Sequence, residues 1–321
     1  MAYTMHIDLG EQSAEFARDP KNFPLIVFVH VPKAAGTTVK KFLWLCSHRG
    51  NPDCEYNPGP TVLLDYERRC DWLAGHIAKD AFATALQHVG RRIEYFATIR
   101  EPISQIISHV KWQFEMFHRG PEFYSANDPE ARAISEEFRT TDFSCAAAIK
   151  TTLAKYPKWF GNIQARFILG SDFATLDDEE LQRRLLDYTY ICGDQNIGNL
   201  FKAFGFLFLP EQLERLRENP SGTYFDERIF ETPEMLEFLR EFYAHDFRLY
   251  KFFRNTAWTA NERRPFRPVF KIVTPDNLDE RAYLGGNPDV AAALKNHKKW
   301  KCGRDQYNAH GHAENRRQLF W

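Results

Sequence analysis

Residues 25–46 read LIVFVHVPKAAGTTVKKFLWLC, and this stretch decides the fold that the sequence predicts. Residues 25–31 form a nearly continuous apolar run that ends at Pro32, which is typical of a buried strand in a parallel sheet. A helix is expected to follow, with Thr37 or Thr38 as the cap of its first turn. Its apolar stripe has helical spacing and consists of Val39, Phe42, Leu43 and Cys46. The stretch therefore predicts a strand, a tight turn and a helix.

A second unit of the same kind is predicted at residues 93–118, with a strand at 93–99 and Pro102 at the first position of a helix. Between the two units, residues 73–87 predict the end of a strand and another helix. Three later segments complete the pattern: mainly helices over 133–169 and 178–206, a strand at 188–193, and an amphipathic segment at 235–253. Alternating strands and helices predict an α/β fold with a central parallel sheet between two layers of helices.

Composition limits the classes of function. The chain has 321 residues, with 42 basic and 43 acidic side chains, so no overall field attracts nucleic acid and any anion site must be built locally. Six scattered cysteines without a C-x-x-C pair predict neither a zinc site nor a disulfide framework. The first residues lack the pattern of a signal peptide, and no window approaches the ~20 apolar residues that span a bilayer. We therefore expect a soluble, cytoplasmic protein with no membrane span.

The turn after the first predicted strand places Lys33 before Gly36, Thr37 and Thr38. In the usual nucleotide-triphosphate loop the order is reversed, because lysine follows glycine directly. A strand–turn–helix junction concentrates backbone N–H groups and the positive end of a helix dipole, which favours binding of a phosphate or a similar anion. The alternative is an ordinary helix cap beside a surface lysine.

The string HVPKAAGTT (residues 30–38) resembles the 5′-phosphosulfate-binding turn of the sulfotransferases, especially carbohydrate sulfotransferases related to the heparan sulfate 2-O and 6-O enzymes. The resemblance implies a P-loop-type three-layer sandwich. It implies 3′-phosphoadenosine 5′-phosphosulfate (PAPS) as the co-substrate and no metal. The turn residues that it assigns to the co-substrate are Lys33, Ala34, Ala35, Gly36, Thr37 and Thr38. Lys33 is also assigned to catalysis.

A second element of that family, R-[DE]-P followed by serine, is matched by Arg100-Glu101-Pro102 and Ser108. The resemblance implies that Arg100 and Ser108 hold the 3′-phosphate, and an arginine can do this through two parallel hydrogen bonds. The alternative is a surface Arg–Glu pair and an ordinary helix serine. The chain departs from the family at Gln105, where the family has a basic residue, so an auxiliary contact is expected to be altered.

Weaker similarities extend the resemblance over about residues 22–255. GNIQARFILG (161–170) is similar to the N-x-Q-x-R-x-L-x-G string of the group, and residues 244–253 to its terminal helix. ENPSGTYF (218–225) is similar to its last nucleotide loop, in which ordinary turn formation is the alternative role. The candidate nucleotide contacts there are Asn219, Ser221 and Thr223.

A hydroxyl acceptor needs a group that takes its proton, and histidine is suited to this near neutral pH. His76, in LAGHIAKDAF, matches the Gly-His position at which heparan-type relatives carry their base. The alternative for His76 is a structural histidine at a helix start. His30 is expected to be a packed histidine, and His109 and His118 are lesser rivals for the base.

The sequence predicts four regions: an N-terminal extension (1–21), a sulfotransferase domain (22–255), a linker (256–270) and a small C-terminal helical module (271–321). The last region resembles a short module found in diverse bacterial proteins, often ones that handle glycans. Within it, Asn287 is the expected cap of a helix that begins at Pro288. His310 and His312 lack the acidic or thiol partners that a metal site needs.

The function expected from the resemblance is transfer of a sulfuryl group from PAPS to the hydroxyl of a carbohydrate, as a glycan or glycolipid, by in-line displacement. The alternatives are a nucleotide kinase of the same architecture and a nucleotide-binding scaffold without catalysis. The sequence identifies neither the acceptor nor the oligomeric state.

Overall fold

The computed structural model describes residues 24–46, 50–54, 70–203, 222–255, 269–296, 300–314 and 316–320. Its centre is a five-stranded parallel sheet with the strand order β2-β3-β1-β4-β5. The strands are β1 Leu25–Val29, β2 Gly50–Asn51, β3 Trp72–Gly75, β4 Ile93–Ile99 and β5 Tyr190–Gly193. The predicted α/β class and parallel sheet are confirmed. The extension 1–21 and the candidates Asn219 and Ser221 lie outside the described residues.

Helices follow the strands as the sequence predicts, and the two that carry the site are α1 Gly36–Cys46 and α3 Pro102–His118. Eight others belong to the same part of the chain: α2 Lys79–Ala85, α4 Pro121–Ser125, α5 Pro129–Thr140, α6 Ala146–Lys155, α7 Pro157–Phe160, α8 Ile163–Leu169, α9 Asp178–Leu186 and α10 Ile197–Ala203. Two more, α11 Pro233–Phe242 and α12 Ala244–Asn255, follow after residue 222. None of the helices in the described ranges is long and apolar enough to cross a membrane.

Both faces of the sheet are covered by apolar side chains, because successive residues of β1 point to opposite sides. Leu25, Val27 and Val29 pack in one cluster with residues of α2, α8, α9 and α12. Ile26 and Phe28 pack in another with residues of α1 and α10. All five strand residues are at most 2% exposed. Burying each such side chain contributes roughly 1.5–3 kcal/mol, which fixes the sheet that positions the turn.

The amphipathic segment 235–253 forms two helices, and the break falls at Tyr243. The cause is a side chain from elsewhere in the chain. The Asn162 side-chain oxygen accepts hydrogen bonds from the backbone N–H groups of His245 (2.9 Å) and Asp246 (3.2 Å). These two N–H groups lie in the first turn of α12, so Asn162 stabilises a new helix start there.

The C-terminal residues form an antiparallel pair, β6 Val269–Ile272 and β7 Arg317–Phe320, with helices α13 Glu280–Gly286, α14 Pro288–Asn296 and α15 Gly303–Gln306. β6 therefore begins inside the predicted linker 256–270, of which residues 256–268 lie outside the described part. This region has its own buried cluster: Val273, Leu278, Tyr283, Val290 and Tyr307. Ala282 packs against the cluster that contains α1, so α13 lies beside the helix that follows the turn.

The C-terminal motif consists of side chains that bond to one another: Tyr283, Asn287, Asp289, Gln306 and Arg316. Tyr283 donates to the side chain of Gln306 (2.5 Å), and Arg316 contacts Asp289 (2.6 Å). Pro288 begins α14 as predicted, directly after Asn287. These contacts give the motif a structural role. Among the described residues no group of three histidine, cysteine or acidic side chains is placed to hold a metal.

Candidate anion-binding and active site

Four strands end at the same edge of the sheet, since they are parallel, and chemically active side chains follow each of them. The turn with Lys33 follows β1, His76 follows β3, Arg100 follows β4, and Asp194 follows β5. The fold thus gathers the predicted residues of both sequence elements and His76 at one edge.

The backbone of the turn is strained. Lys33 (φ 61°) and Ala35 (φ 63°) both adopt the left-handed conformation, on either side of Ala34. Each such residue costs about 1–2 kcal/mol when it is not glycine. Left-handed residues in a turn direct successive backbone N–H groups into one concavity, which is a common anion-binding arrangement. Strain of this kind persists only where surrounding contacts hold it.

Those contacts come from the second strand–turn–helix unit. Three consecutive carbonyl groups of the turn each accept a hydrogen bond from a side chain of β4, α3 or the junction between them. The pairs are Gln105 Nε2 to Pro32 (3.0 Å), Arg100 Nη1 to Lys33 (3.3 Å) and Thr98 Oγ1 to Ala34. The carbonyl oxygens of the turn therefore face β4 and α3.

The Ala34 N–H donates to the carbonyl of Val31 (3.3 Å), but four other backbone N–H groups of the turn have no acceptor among the described residues. Within the described part of the chain, no acceptor is bonded to the N–H groups of Lys33, Ala35, Gly36 and Thr37. They lie at the N-terminus of the eleven-residue helix α1, whose first turn carries no acidic residue. The helix dipole adds a positive potential at this point. The expected cap by Thr37 or Thr38 is wrong: α1 already begins at Gly36, so both threonines lie inside the helix.

Lys33 adds a cation to the site. Its ammonium lies 4.8 Å from the ring centroid of Trp112, which stabilises a cation in partly buried surroundings. Burial lowers the pKa of Lys33 to about 8, and the nearby Glu115 carboxylate opposes that shift. The side chain therefore remains mostly charged at pH 7.

Arg100 is held on several sides. The Gln164 side-chain amide accepts from its backbone N–H (2.8 Å) and donates to its carbonyl (2.8 Å). Arg100 Nε lies 3.1 Å from the Asp194 carboxylate, and Nη1 donates to Lys33. Nη2 forms no hydrogen bond with any described residue. The guanidinium is thus fixed in place with donors left for a phosphate.

Sequence reasoning missed Asp194 and Gln164. The position of Asp194 directly after β5 was the available signal, because neighbouring parallel strands end side by side. Burial raises the pKa of Asp194, and Arg100 opposes this shift. Gln164 belongs to the N-x-Q-x-R string, and its backbone N–H donates to Asp246 (3.3 Å). That string therefore braces Arg100 through Gln164.

Gln105, where the family has a basic residue, is fully buried and bonds the turn through Pro32. Ser108 follows it by three residues on α3 and Trp112 by seven, so the three share a stripe of the helix that faces the turn. Ser108 is half-buried, and its hydroxyl forms no hydrogen bond within the described residues. Within the described residues it therefore has a free donor on the side of α3 that faces the turn.

His76 is joined to the residue that precedes the turn. Its Nδ1 lies 2.8 Å from the carbonyl oxygen of His30. Since a carbonyl can only accept, Nδ1 must carry the proton, and the neutral ring keeps its lone pair on Nε2. Desolvation of the ring by its packed neighbours lowers the pKa of His76 below its usual range, with Lys40 adding to the effect. The residue still reaches solvent, so a neutral imidazole is accessible at pH 7.

The other candidates for the base, His109 and His118, and the candidate nucleotide contact Thr223 are placed less favourably than His76. His109 is buried against Phe160, and burial lowers its pKa to about 3. His118 is exposed at the end of α3 and stacks on Tyr224 (ring centroids 5.4 Å). Thr223, next to Tyr224, is exposed and forms no hydrogen bond with the turn in the described residues.

The comparison with protein families finds no matching family model, and the comparison with curated proteins finds no matching sequence.

Proposed function

We propose that the protein transfers a sulfuryl group from PAPS to a hydroxyl group of a carbohydrate. The observation that carries the proposal is the strained turn, in which three carbonyls accept bonds from β4, α3 and their junction. Beside the lysine of that turn, the N–H groups of Lys33, Ala35, Gly36 and Thr37 have no acceptor among the described residues. An array of fixed amide donors and one cation suits the charged oxygens of a phosphosulfate.

The proposal assigns a group of donors to each end of PAPS. The turn amides, the N-terminus of α1 and Lys33 would hold the phosphosulfate end. Arg100 would hold the 3′-phosphate, with the Ser108 hydroxyl on the same side of α3. Asp194 orients the guanidinium, because it lies against Nε and leaves Nη2 for the ligand.

His76 would act as the general base. In the transfer, the acceptor oxygen forms a bond to sulfur while the bond from sulfur to the 5′-phosphate oxygen breaks. The hydroxyl proton passes to Nε2 of His76, because Nδ1 is already protonated and bonded to His30. Lys33 and the turn amides stabilise the negative charge that grows on the departing phosphate. No covalent enzyme intermediate is needed.

Two measurements on the whole protein test the proposal. Calorimetry with PAP, the product nucleotide, measures binding, and a labelled-sulfate assay with PAPS and a panel of oligosaccharides and glycolipids measures transfer. Binding with transfer is the expected result. Binding without transfer to any acceptor would favour the nucleotide-binding scaffold, and phosphate transfer from ATP would favour the kinase. Absence of PAP binding by the folded protein would overturn the proposal.

The base is tested by a pair of variants. His76→Ala should lower transfer by roughly 10²–10⁴-fold, the usual contribution of a general base, while PAP binding changes little. His118→Ala is the matched control, because this exposed histidine stacks on Tyr224 at the far end of α3. Equal activity of the two variants would remove His76 from the mechanism.

A further inference from the structure

We infer that His30 is a positioning residue: its buried ring fixes the orientation of the His76 imidazole and links that imidazole to the anion-binding turn through Gly36. The inference rests on the proposed role of His76 for its catalytic consequence. Its structural part is independent of any substrate.

Two contacts from His30 constrain His76 in different ways. The two rings are stacked, with centroids 3.9 Å apart and planes at 27°. The carbonyl of the same residue accepts the hydrogen bond from His76 Nδ1 at 2.8 Å. The stack sets the plane of the imidazole, and the hydrogen bond sets its rotation within that plane. Phe167 closes the edge of the ring at 6.3 Å.

The His30 ring also sets the identity of a turn residue. A Cβ on Gly36 would lie 1.7 Å from His30 Cδ2 and 1.9 Å from His30 Nε2. The φ of Gly36 is outside the left-handed region, so backbone conformation does not require glycine here. Glycine is required because the histidine ring occupies the space of its side chain. The first residue of α1 is therefore in contact with the residue that orients the proposed base.

His30 is 5% exposed, and its other neighbour in the stack is Phe28, with centroids at 5.9 Å. A ring held in this way cannot turn without moving Gly36 or His76, because packed interiors leave no room for it. A shift of the turn would therefore be passed to the imidazole.

The charges that face His76 come from several elements. The pKa of His76 is lowered by Lys40 of α1 and by Lys33 of the turn, and it is raised by Asp53. The Lys40 ammonium is itself paired with Asp53 at 2.7 Å. His109 of α3 also lies within electrostatic range, but burial lowers its pKa to about 3, so it is neutral near pH 7 and adds no charge beside His76. Burial lowers the pKa of His30 well below its usual range. Both stacked rings are therefore neutral near pH 7 and do not repel each other.

Removal of the His30 ring should expose one face of His76 to water. Since the His30 ring covers that face and its desolvation lowers the pKa, the pKa of His76 should rise from its lowered value when the ring is removed. The protonated fraction near pH 6 then increases, and the acidic limb of the activity profile should move to higher pH. A looser base should also lower kcat about tenfold or more with a smaller change in KM.

The test follows the histidine C2–H resonances by NMR across pH in the wild type and in His30→Ala, His30→Phe and His109→Ala. We expect His30→Ala to raise the pKa of His76 and His30→Phe to restore it in part, because an aromatic face is kept. His109→Ala removes a histidine of equal exposure (5%) that packs on Phe160, so it should leave the titration of His76 unchanged.

A folded His30→Ala variant with an unchanged His76 titration would overturn the inference. If that variant does not fold, the wild type decides, through the nuclear Overhauser contacts between the His30 and His76 rings: their absence would also overturn it. The NMR readout needs no turnover. A shift in titration without any sulfate transfer by the wild type would therefore refute the proposed function and leave the positioning contact established.

Discussion

The two strand–turn–helix units of this protein begin their helices in opposite ways. In the first, the N-terminus of α1 is open: the N–H groups of Gly36 and Thr37 have no acceptor among the described residues, and the first turn has no acidic side chain. In the second, the N-terminus of α3 is closed by its own residue, since the Glu101 carboxylate accepts from the N–H groups of Ile103 (3.1 Å) and Ser104 (2.7 Å).

The difference shows that the two units have separate structural roles. An anion can compete for amides only at α1, because Glu101 already neutralises those of α3. The second unit contributes side chains instead, and Thr98, Arg100 and Gln105 hold the carbonyls of the first turn. The first unit has the unpaired amides among the described residues, and the second holds their turn in a strained conformation.

The largest effect should come from the cation of the open unit. Lys33→Met is expected to lower transfer by about 10²–10³-fold, the usual cost of removing one group that stabilises developing charge. Stability should not fall, because the substitution removes a buried charge, and burial lowers the pKa of Lys33. The labelled-sulfate assay and thermal unfolding measure the two results.

Lys111→Met is the control for that variant. This lysine lies on α3 and pairs with Glu227, so its loss removes a charge of the same sign without touching the turn. Equal losses of sulfuryl transfer in both variants would mean that Lys33 does not specifically stabilise the negative charge on the departing phosphate.

Closing α1 with its own carboxylate should make the first unit resemble the second. Thr37→Asp places an acid in the first turn of α1 at an exposed position. We expect stability to rise by about 0.3–1 kcal/mol through the helix dipole. Affinity for PAP should fall about tenfold or more, because the carboxylate takes the amides and repels the ligand.

Thr37→Asn separates the effect of the charge from that of the side-chain shape, since asparagine is similar in size to aspartate but is uncharged. Calorimetry should show a much smaller loss of affinity for Asn than for Asp. If Asp strengthened PAP binding, the amides of α1 would not be an anion site.

The pH dependence of PAP binding reports on the same turn. Burial lowers the pKa of Lys33 to about 8, and lysine is charged below its pKa. Affinity should therefore be nearly constant near pH 7 and fall as pH rises through 8, where the nucleotide phosphates are already fully ionised. Calorimetry in Lys33→Met should show no such fall, and an identical fall there would assign the effect to another group.

A smaller effect should follow when one tie between the units is cut. Gln105→Leu leaves the Pro32 carbonyl without its partner, at a cost of about 1–3 kcal/mol for a buried polar group. PAP affinity should weaken by about three- to tenfold as the turn relaxes. Gln113→Leu is the matched control, because Gln113 is equally buried on the same helix and neither of its amide atoms has a partner among the described residues. If Gln105→Leu lost no more affinity for PAP than Gln113→Leu, the hydrogen bond from Gln105 to Pro32 would not support the turn.

The sequence predicted those helices and strands that depend on the pattern of neighbouring residues. Strands β1 and β4, helix α1 and the start of α3 at Pro102 follow from apolar periodicity and from the fixed φ of proline, which involve only neighbouring residues. The structure places Lys33, Arg100 and His76 at one edge of the sheet, because parallel strands end together. Their chemistry remains a proposal, while their proximity follows from the sheet.

The ties between the units could not be predicted in this way. Gln105 lies 73 residues from Pro32, and Gln164 lies 64 residues from Arg100. No periodicity encodes such pairs, because a buried glutamine has the same local pattern whether it bonds the turn, as Gln105 does, or not, as with Gln113. The wrong cap at Thr37 and Thr38 has the same origin: the left-handed residues of the turn move the helix start to Gly36.

The smallest effect on function should come from opening the closed unit. Glu101→Ala removes the cap of α3 and should lower the free energy of unfolding by about 1 kcal/mol, as capping substitutions do. Transfer should change by less than about threefold, since Arg100 is still held by Gln164 and Asp194. Asp128→Ala, which removes the cap of α5 far from the turn, gives the matched loss of stability in thermal unfolding. A much larger loss of PAP binding for Glu101→Ala than for Asp128→Ala would show that the closed helix end also contributes to the anion site, and the contrast between the two units would then no longer hold.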